Sequence, residues 1–545
     1  MKNDLEALRA KEAYFKRWSN LKTERSSWMP EYREISENFL PRTGQFLVTD
    51  RNRKKHWNRI IDNSANRALN ILTSGLMSGA SSPSRPWFEI ETNDPDLNKK
   101  SDVRVWLDYA KDILLTIFAR SNTYRMLHSS YEELALYGTH SNIIMPNYDN
   151  VIHHFPQTCG QYCLATDYMG NVNTLYREFN KTVLETVTEF GLKNVSRSVQ
   201  NMYGNGTLDS MVKIIHAIEP RAARDKNKLD AQNMEYASVY FEEGENSSNY
   251  LRESGFEMFR GTAPRWNTRG NDVYGIGIGS EALGANKQLQ HEQRRKGQVI
   301  DLKTNPPLQV PVQMKGRNVE RLPGGINYFN PQTPAAGIRN AYEVDLDVGT
   351  LREDIFDVRQ MLHQAFHADI FLMMNSAVDT RMTATEVAER HEEKLLMLGP
   401  VLERLHNELL QPLVEITFAH VVEAGILPPP PKDLEGRKLN IKFVSMLAQA
   451  QKAVGLNSVE RMMGSVLNVA QANPDVLDKV NFDGYVDEVG ETLGVDPRLF
   501  NDEAQVKFIR ESRAKMQAAQ AQADAQMQQV EAASKMAVAQ GAAQK

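Results

Sequence analysis

The chain has 545 residues and a mass of 61.8 kDa, which at about 150 residues per domain predicts several folding units and excludes a single small binding module. Lys and Arg total 64 against 69 Asp and Glu, a net charge of −5 that excludes a general nucleic-acid binder held by counterion release. No apolar run approaches the ~20 residues of a membrane span, and the charged amino terminus lacks the apolar core of a secretory signal. We therefore expect the protein to stay in the compartment where it is made.

The amino-terminal part of the sequence is predicted to be helical. Apolar and charged residues mix at helical spacing from residue 4 to about 38. The basic run 51–59 is compatible with a phosphate site but is more typical of a solvated loop. A second helix follows, and Gly79 with two later prolines ends it. Its apolar positions are Ile61, Ala65, Ala68, Leu72 and Leu76.

A third helix and then a sheet are predicted in the next two hundred residues. The helix spans 103–118, and we expect it to lie in the core together with the helix before it. From about 143 to 270 the pattern changes to short alternating runs typical of an antiparallel sheet, with strands near 172–176, 236–241 and 256–259. The apolar face of the third helix comprises Val105, Trp106, Tyr109, Ile113, Ile117 and Phe118.

Helices return after the sheet. A helix over 280–296 ends in three cations that complement the carboxyl end of the helix dipole, and another over 350–371 has one apolar face. The Pro- and Gly-rich stretch 305–334 between them predicts a small irregular β unit. A long helix then opens at Thr383 with a Ser/Thr-x-x-Glu capping box and runs to about 424, and Pro400 is expected to kink it.

The carboxyl-terminal part begins with a polyproline linker at 428–431, followed by a separate helical unit over 441–500. The Ala- and Gln-rich end favours helix. Its apolar positions recur only every seven residues, which indicates either a helix with neighbours on both sides or a frayed, solvated tail.

Common enzyme motifs are absent: the chain has no Walker-type phosphate loop, no zinc-protease helix and no serine-hydrolase elbow. One weak pattern remains. Gly275, Gly277 and Gly279 precede a helix as in a dinucleotide-binding loop, with Asp301 at about the ribose-binding distance, although Ser280 replaces the last glycine of that motif. Close backbone packing at a bend explains these glycines more simply. A nicotinamide-dependent enzyme is the alternative that the pattern leaves open.

Two groups of side chains have the types that ligate metals. Cys159 and Cys163 lack the second pair that a zinc site needs, and they lie too close together for a useful disulfide loop. His363 and His367 are one turn apart on a predicted helix and are compatible with a site completed by Asp369, but a helix on a polar surface has the same pattern. We expect neither a metal nor a cofactor.

Several short segments, taken in order, resemble one known family. They are residues 61–88 (IDNSANRALNILTSGLMSGASSPSRPWF), Tyr274 with Gly275, LPGGI at 322–326, and MTATEV at 382–387 followed by LGPVLERLHNELLQPL. Their order and spacing resemble the head-to-tail connector, or portal protein, of short-tailed (podovirus-type) tailed bacteriophages. The resemblance extends over about residues 28–452.

This resemblance implies an α+β, helix-rich portal fold that assembles into a ring. The implied parts are a wing at 1–279, a first stem helix at 280–299, a clip at 300–349, a second stem helix at 350–372, a tunnel loop at 373–382, a kinked wing helix at 383–425, a crown at 426–500 and a barrel helix at 501–545. Twelve parallel barrel helices at a spacing of about 10 Å would leave a bore of about 28 Å, enough for duplex DNA.

The implied function is a non-enzymatic channel: a ring of twelve subunits at one capsid vertex through which double-stranded DNA is packaged and later ejected. The implied location is the virion, after synthesis in the host bacterial cytoplasm. The implied partners are other copies of the chain, loosely held DNA, the terminase large subunit, a tail adaptor, and scaffolding and major capsid proteins, without a membrane. A ring-forming assembly protein that never contacts DNA is a further alternative.

Two sets of residues are implied to face DNA or partners. The tunnel loop comprises Met373, Met374, Asn375, Ser376, Ala377, Val378, Asp379, Thr380 and Arg381. The basic contacts of the clip and stem are Arg294, Arg295, Lys303, Lys315, Arg317 and Arg321. For each basic residue, an inter-subunit salt bridge or a solvated position is the alternative.

Overall fold

The computed structural model describes residues 11–46, 60–98, 100–221, 223–228, 230–243, 250–310, 312, 339–340, 347–375, 399–434, 436–437, 439–443, 461–470, 474–493, 505–522 and 527. These residues combine helices with antiparallel sheet, which confirms the predicted α+β class. Within those ranges, no helix has the length and apolar character that crossing a membrane requires.

Helices account for most of the regular structure. They are α1 Lys11–Arg25, α2 Met29–Asn38, α3 Ser64–Ala80, α4 Pro95–Asn98, α5 Ser101–Arg120, α6 Thr123–Tyr137, α7 Val183–Phe190, α8 Arg197–Gly204, α9 Ile278–Thr304, α10 Val348–Ala365, α11 Ala368–Asn375, α12 Gln411–Glu423 and α13 Phe482–Leu493. Further helical stretches occupy 399–405, 461–470 and 505–522, and a π-helical segment at His406–Leu410 precedes α12.

The strands are short and pair antiparallel. They are β1 Phe88–Thr92, β2 Ser141–Asn147, β3 Val151–Gln157, β4 Tyr162–Thr166, β5 Val172–Thr182, β6 Met211–Pro220, β7 Tyr236–Glu242, β8 Arg252–Phe256, β9 Gly261–Thr262, β10 Leu308–Gln309, β11 Arg339–Asn340 and β12 Leu439–Phe443. The larger sheets have the orders β4-β5-β6-β7-β8 and β3-β2-β9, which confirms the antiparallel sheet predicted from about residue 143 to 270.

The chain folds into two compact units. Unit 1 comprises Met1–Pro83 and Ile117–Ala424, and unit 2 comprises Ser84–Thr116 and Gly425–Lys545. The sequence analysis grouped residues 84–116 with the first 279. The structure groups them with the carboxyl-terminal residues because β1 pairs with β12, from Phe88 opposite Phe443 to Thr92 opposite Leu439.

In unit 1, the five-stranded sheet packs one face against α1. Tyr14, Trp18 and Leu21 of α1 are buried against alternate residues of the central strands, among them Tyr176 and Ile215. The period-two alternation of strands places these side chains on one face of the sheet. The opposite face carries its own buried cluster, which includes residues of the three-stranded sheet.

Helix α6 is the most enclosed helix of unit 1. Ten of its residues are buried, and it packs against α3, α9 and β3. The Tyr131 hydroxyl lies 2.7 Å from Ser81 Oγ, and that of Tyr137 lies 2.7 Å from Thr43 Oγ1, so both buried phenols are satisfied. The sequence analysis did not predict this helix.

Helix α12 lies on the three-stranded sheet. Ion pairs connect α12 and the π-helical segment before it to arginines close to that sheet. Arg265, next to the sheet, donates to both carboxylate oxygens of Glu408, at 2.7 and 3.2 Å. Arg260 donates to Glu423 at 3.1 Å and to the ring of His420. Burial, and then the Arg260 charge, lower the pKa of His420, so this ring is neutral against the guanidinium.

Unit 2 is built around the β1–β12 pair. The Trp87 and Phe443 rings stack with 6.3 Å between centroids. Trp106 Nε1 donates to the Pro428 carbonyl at 3.0 Å, so α5 is attached to the polyproline segment. Near the end of the described chain, Arg510 makes two 2.7 Å hydrogen bonds to the Asp483 carboxylate.

Several predicted boundaries are wrong. The single helix over 4–38 is two helices, α1 and α2, because Pro30 starts a new helix after a turn. In α5, Val105 and Tyr109 are 65% and 51% exposed. The buried face consists instead of Val103, Leu107, Ala110, Leu114, Ile117 and Phe118.

The sheet region also differs from prediction in detail. The strand expected at 256–259 lies earlier, at Arg252–Phe256, where it pairs with β7. Two helices, α7 and α8, interrupt the strands and were not predicted. A local signal for α7 exists: Thr182 and Glu185 form a reciprocal capping box.

The paired helices after the sheet are longer or more broken than predicted. Helix α9 continues to Thr304 rather than ending at the cations 294–296, because no residue that stops a helix occurs before Pro306. The helix predicted over 350–371 is divided into α10 and α11 at His367, a non-glycine residue with a φ of 51°.

The predictions for residues 305–500 can be compared with the structure only in part, because the structure describes only some of these residues. Between 305 and 334, only β10 and residues near it are described, and β10 pairs with β11. The Thr383 capping box and the residues before the Pro400 kink lie outside the described residues. The unit predicted as helical over 441–500 begins with the end of β12, and its described residues include helices at 461–470 and Phe482–Leu493.

Candidate functional site

Helices α9 and α10 pack along each other in unit 1. Every buried residue of α9 lies between Ile278 and Glu292, and none lies in the twelve residues that follow. Only Ile355, Val358 and Leu362 are buried in α10. The helix pair therefore has a half that is anchored in unit 1 and a half that is exposed.

Buried amide side chains anchor the first half of α9. Gln290 Oε1 accepts hydrogen bonds from the backbone nitrogens of Ile61 and Asp62 at 2.7 and 2.9 Å, and its Nε2 donates to the Asp62 carbonyl at 2.9 Å. Asn286 Nδ2 donates to the Asn38 carbonyl at 2.8 Å. These contacts connect α9 to segments more than two hundred residues away in the sequence.

Asp62 joins both helices through its carboxylate. Oδ2 accepts from Arg359 Nη2 at 2.6 Å and Nε at 3.0 Å, and from Gln293 Nε2 at 2.8 Å. Burial alone would raise the Asp62 pKa, but the Ser64 hydrogen bonds and then the Arg359 guanidinium hold it below its usual value. A charged Asp62 therefore connects α9 and α10 to the start of α3.

A carboxyl pair lies one turn away between the same helices. Gln288 Nε2 donates to Glu292 Oε1 at 2.7 Å. Burial raises the pKa of Glu292; the Gln288 amide opposes this shift, and the nearby Asp354 carboxyl adds to it.

The exposed half carries both cations and apolar side chains. Arg294, Arg295 and Lys303 are all exposed on α9, as the implied role in contacts requires. Ile300 in this half is 41% exposed; Phe356 and Met361, which lie between the buried residues of α10, are also 57% and 58% exposed. Exposed apolar side chains on a long helix pair are typical of a surface that another chain covers.

The other implied site residues lie partly outside the described ranges. Met373, Met374 and Asn375 are the last three residues of α11 rather than the start of a loop. Residues 376–381 are not among those described, nor are Lys315, Arg317 and Arg321. Their roles in a tunnel loop and clip stay predictions.

The glycines at 275, 277 and 279 do not form a dinucleotide loop. A Cβ at Gly275 would lie 2.2 Å from the Gly138 carbonyl oxygen, and one at Gly277 would lie 2.5 Å from the Gly138 nitrogen. The Gly275 nitrogen already donates to Thr139 Oγ1 at 2.7 Å. The backbone at the end of α6 thus fills the space that a pyrophosphate would need, so the close packing expected from the sequence is confirmed and the dinucleotide alternative is wrong.

The candidate metal ligands do not converge either. His363 lies in α10, but His367 follows the end of that helix at a positive φ, so the two are not on one continuous helical face. Cys159 and Cys163 are buried and form no disulfide, and burial raises the Cys163 pKa to about 11. In the part of the chain that the structure covers, no three His, Cys, Asp or Glu side chains group as a metal site.

The anchoring residues were not predicted as a site. Asp62 lies in the segment 61–88 that carries the family resemblance, but its partner Arg359 is 297 residues away. No helical periodicity pairs such distant positions. The polar Gln290 and Asn286 on an otherwise ordinary helix were the available signal, because buried amides require partners.

Comparisons with known proteins agree with the resemblance. The family described as "Bacteriophage head to tail connecting protein" matches residues 11–500. The "Probable portal protein" of Bordetella phage BPP-1 is 51% identical over 521 residues, 95% of this chain and 94% of that protein. The "Portal protein" of Salmonella phage epsilon15 is 42% identical over 516 residues, 94% of this chain and 93% of that protein.

A chain of the virion of a native gene transfer agent (GTA) particle aligns with a TM-score of 0.35 and 10% identity, over 74% of this chain and 86% of that one. The conclusion on family rests on the match over 11–500 and on the two phage proteins. The chain belongs to the family of bacteriophage head-to-tail connecting proteins.

Proposed function

We propose that this chain is the portal protein of a short-tailed bacteriophage and that it forms a ring around a DNA channel in the virion. Two relatives that bear the name portal protein match it over nearly its whole length, and this similarity carries the proposal. The role is structural, so a separate packaging ATPase hydrolyses ATP, and the chain docks that motor, a tail adaptor, and coat and scaffolding proteins.

The α9–α10 pair supports a ring. The second half of α9 has no buried residue, and isolated helical segments gain most of their stability from packing against neighbours. Phe356 and Met361 are five residues apart, which at about 100° per residue directs them about 140° apart around α10. A helix with exposed apolar side chains on two sides fits a subunit with a neighbour on each side.

The same helices support a channel that holds DNA loosely. Their exposed cations include Arg294, Arg295 and Lys303 on α9, in a chain whose net charge is −5. Few phosphate contacts per subunit give little sequence-independent affinity, which lets a duplex slide. Residues 376–381, which follow α11, are proposed to reach the DNA as a tunnel loop.

Electron microscopy and mass measurement of the purified full chain test the ring. We expect annular particles with a central hole and a mass of about twelve subunits. The Phe356→Glu/Met361→Glu variant should shift the population to small species, because it places charge at the proposed subunit contacts. Tyr148→Glu, at a fully exposed position on the β2–β3 turn, is the matched control and should leave rings intact. Solid particles, or monomers at every concentration, would contradict the ring.

DNA passage is tested separately in a packaging reaction with assembled proheads. Shortening residues 376–381 should reduce the packaged DNA while rings still form. Normal packaging by this variant would remove the tunnel role from the loop. Rings that form but never package or retain DNA would instead favour the assembly-only alternative.

A further inference from the structure

A cavity of about 690 Å³ lies in unit 1, away from the α9–α10 pair. The β2–β3 hairpin forms one wall, and residues of β5, α7, β7 and β8 form the other. The volume falls within the range of about 300–1,000 Å³ that small-molecule sites occupy. Neither the proposed ring contacts nor the proposed DNA contacts use these residues.

The alternation of β5 determines which side chains reach this cavity. Tyr176 and Glu178 lie on the face that packs on α1, where Trp18 Nε1 donates to Glu178 at 3.1 Å. Arg177, Phe179 and Lys181 lie on the other face and line the cavity. Although Glu178 also borders the space, its carboxylate is paired with Lys213 at 2.9 Å.

Arg177 is held in place mainly by neutral groups. Its guanidinium lies 5.2 Å from the Phe155 ring centroid and 4.8 Å from that of Phe179. Nε donates to His216 Nδ1 at 3.1 Å, which fixes the tautomer of a ring whose Nε2 then donates to Ser238 Oγ at 2.9 Å. Among the described residues, no carboxylate pairs with Arg177. The Nη1 donors of the guanidinium have no protein acceptor in that set.

Two more cations line the same cavity and share one carboxylate. Lys181 Nζ pairs with Glu189, and Arg252 Nη1 lies 3.9 Å from the other oxygen of that carboxylate. Three cations thus face Glu189, since Glu178, the other carboxylate of the lining, is paired with Lys213. Burial lowers the Lys181 pKa, and the charges of Arg177 and Arg252 lower it further against the opposing effect of Glu185. The cavity therefore has an excess of positive charge.

Aromatic groups supply the apolar surface. Phe155 is 40% exposed at the wall formed by β3, and the Tyr240 ring stacks on His216 with 3.8 Å between centroids. A cavity of this size with three cations and exposed aromatic surface has room for both an anionic group and a flat ring. These are the two parts of a nucleotide.

We propose that this cavity binds a nucleotide, with its phosphate held by Arg177, Lys181 and Arg252 and its base against the Phe155 wall. Guanidinium groups bind phosphate with paired hydrogen bonds, and bases stack on aromatic faces. The same chemistry is available from a free nucleotide and from the 5′-phosphorylated end of a single strand.

Isothermal titration calorimetry on the full chain tests the site with named probes. Adenosine monophosphate should bind, inorganic phosphate should bind more weakly, and adenosine should not bind at millimolar concentration. A 5′-phosphorylated tetranucleotide serves as the second arm. Binding of the mononucleotide identifies a free ligand, and binding of the tetranucleotide alone identifies a strand end. If neither binds at millimolar concentration, the proposal is overturned.

Variants assign the binding to this cavity. Arg177→Gln should weaken binding at least about tenfold, since it removes hydrogen bonds to a charged phosphate. Arg252→Gln, at a more exposed position, should weaken it in the same direction if Arg177→Gln fails to fold. Glu189→Gln should tighten it, because this carboxylate competes with the phosphate. Arg33→Gln, at an exposed arginine that pairs with Glu37, is the control. Unchanged binding in both arginine variants would overturn the proposal.

Discussion

Helix α6 and the second half of α9 differ in what stabilises them. In α6, ten residues are buried against other parts of unit 1, and its tyrosine hydroxyls are satisfied inside the fold. In α9 no residue after Glu292 is buried. The apolar side chains of α6 are packed by residues of their own subunit. The second half of α9 is attached through a few polar contacts near Asp62 and leaves apolar side chains exposed.

This difference shows which part of the chain is stabilised within one subunit and which part gains stability only when subunits assemble. Burial of apolar surface stabilises by about 25 cal/mol per Å², so α6 contributes its stability in the single subunit. The apolar groups of the exposed half contribute theirs only when another surface covers them. Substitutions in the two regions should therefore affect different measurements.

The largest effect is expected in α6. Leu127→Ala should lower the free energy of unfolding by about 2–5 kcal/mol, because the fully buried side chain leaves a cavity. Ile300→Ala in α9 should change that free energy by less than about 0.5 kcal/mol in the isolated subunit and weaken only the assembly. Urea unfolding of dissociated subunits measures both. Equal losses would remove the proposed distinction.

The next effect tests the contact between the end of α6 and the start of α9. Gly277→Ala should destabilise by about 1–3 kcal/mol, because its Cβ would lie 2.5 Å from the Gly138 nitrogen. Gly284→Ala, in the same helix with nothing within 4 Å, should instead stabilise by up to about 1 kcal/mol. Thermal unfolding of the two variants compares them. A tolerated alanine at 277 would show that this contact adapts.

A smaller effect is expected at the anchor of the helix pair. Asp62→Asn should lower the free energy of unfolding by about 1–2 kcal/mol, less than for a fully buried pair because the Arg359 side chain is 42% exposed. Asp357→Asn, on the exposed side of α10, should have no such effect.

The pH dependence of the same variant has a definite sign. The folded-state pKa of Asp62 lies below its usual 3.8, so its contribution is fully present above that pH and is lost as pH falls through the folded value. Thermal unfolding measured from neutral to acid pH should therefore fall less steeply below pH 3.8 in Asp62→Asn than in the parent chain. Parallel curves would show that Asp62 does not contribute through its charge.

The smallest effect on stability is expected in the exposed half of α9. Arg294→Gln/Arg295→Gln should change the free energy of unfolding by less than about 0.5 kcal/mol, since both side chains are exposed. If both arginines contact phosphates, the variant loses two phosphate contacts in each subunit that touches DNA. A plot of the logarithm of the affinity for duplex DNA against the logarithm of the salt concentration should then have a slope shallower by about 1.8 for each such subunit. An unchanged slope would assign these arginines to protein contacts.

A structural feature could be predicted from the sequence when residues close together in the sequence determine it. The glycines at 275–279 were correctly interpreted as close packing, because missing side chains are visible in the sequence. Helix α6 was not predicted, since it is enclosed on several sides and shows no single apolar stripe. The break at His367, where φ is 51°, has no local signal in the sequence.

Long-range polar pairs were the least predictable part of the site. Asp62 and Arg359 are ordinary charged residues in the sequence, and only the folded chain brings them to 2.6 Å. The cationic cavity has the same origin. Arg177 and Lys181 lie in β5 beyond the stretch 172–176 predicted as a strand, Arg252 lies in β8 before the strand expected at 256–259, and the facing hairpin wall is a tertiary feature. The cations 294–295 are exposed and their implied contacts stay a prediction, while their predicted place at the end of a helix was wrong.

The pairing of β1 with β12 has a consequence for synthesis. Glu91 and Lys442 in this pair are 351 residues apart, so at about 5–20 residues per second the ribosome needs about 20–70 s to supply the second strand after the first. Throughout that interval the hydrogen-bonding edge of Phe88–Thr92 has no β12 to pair with, and unpaired strand edges promote aggregation. Nascent chains that stall before residue 439 should therefore be preferred clients of chaperones that bind extended segments.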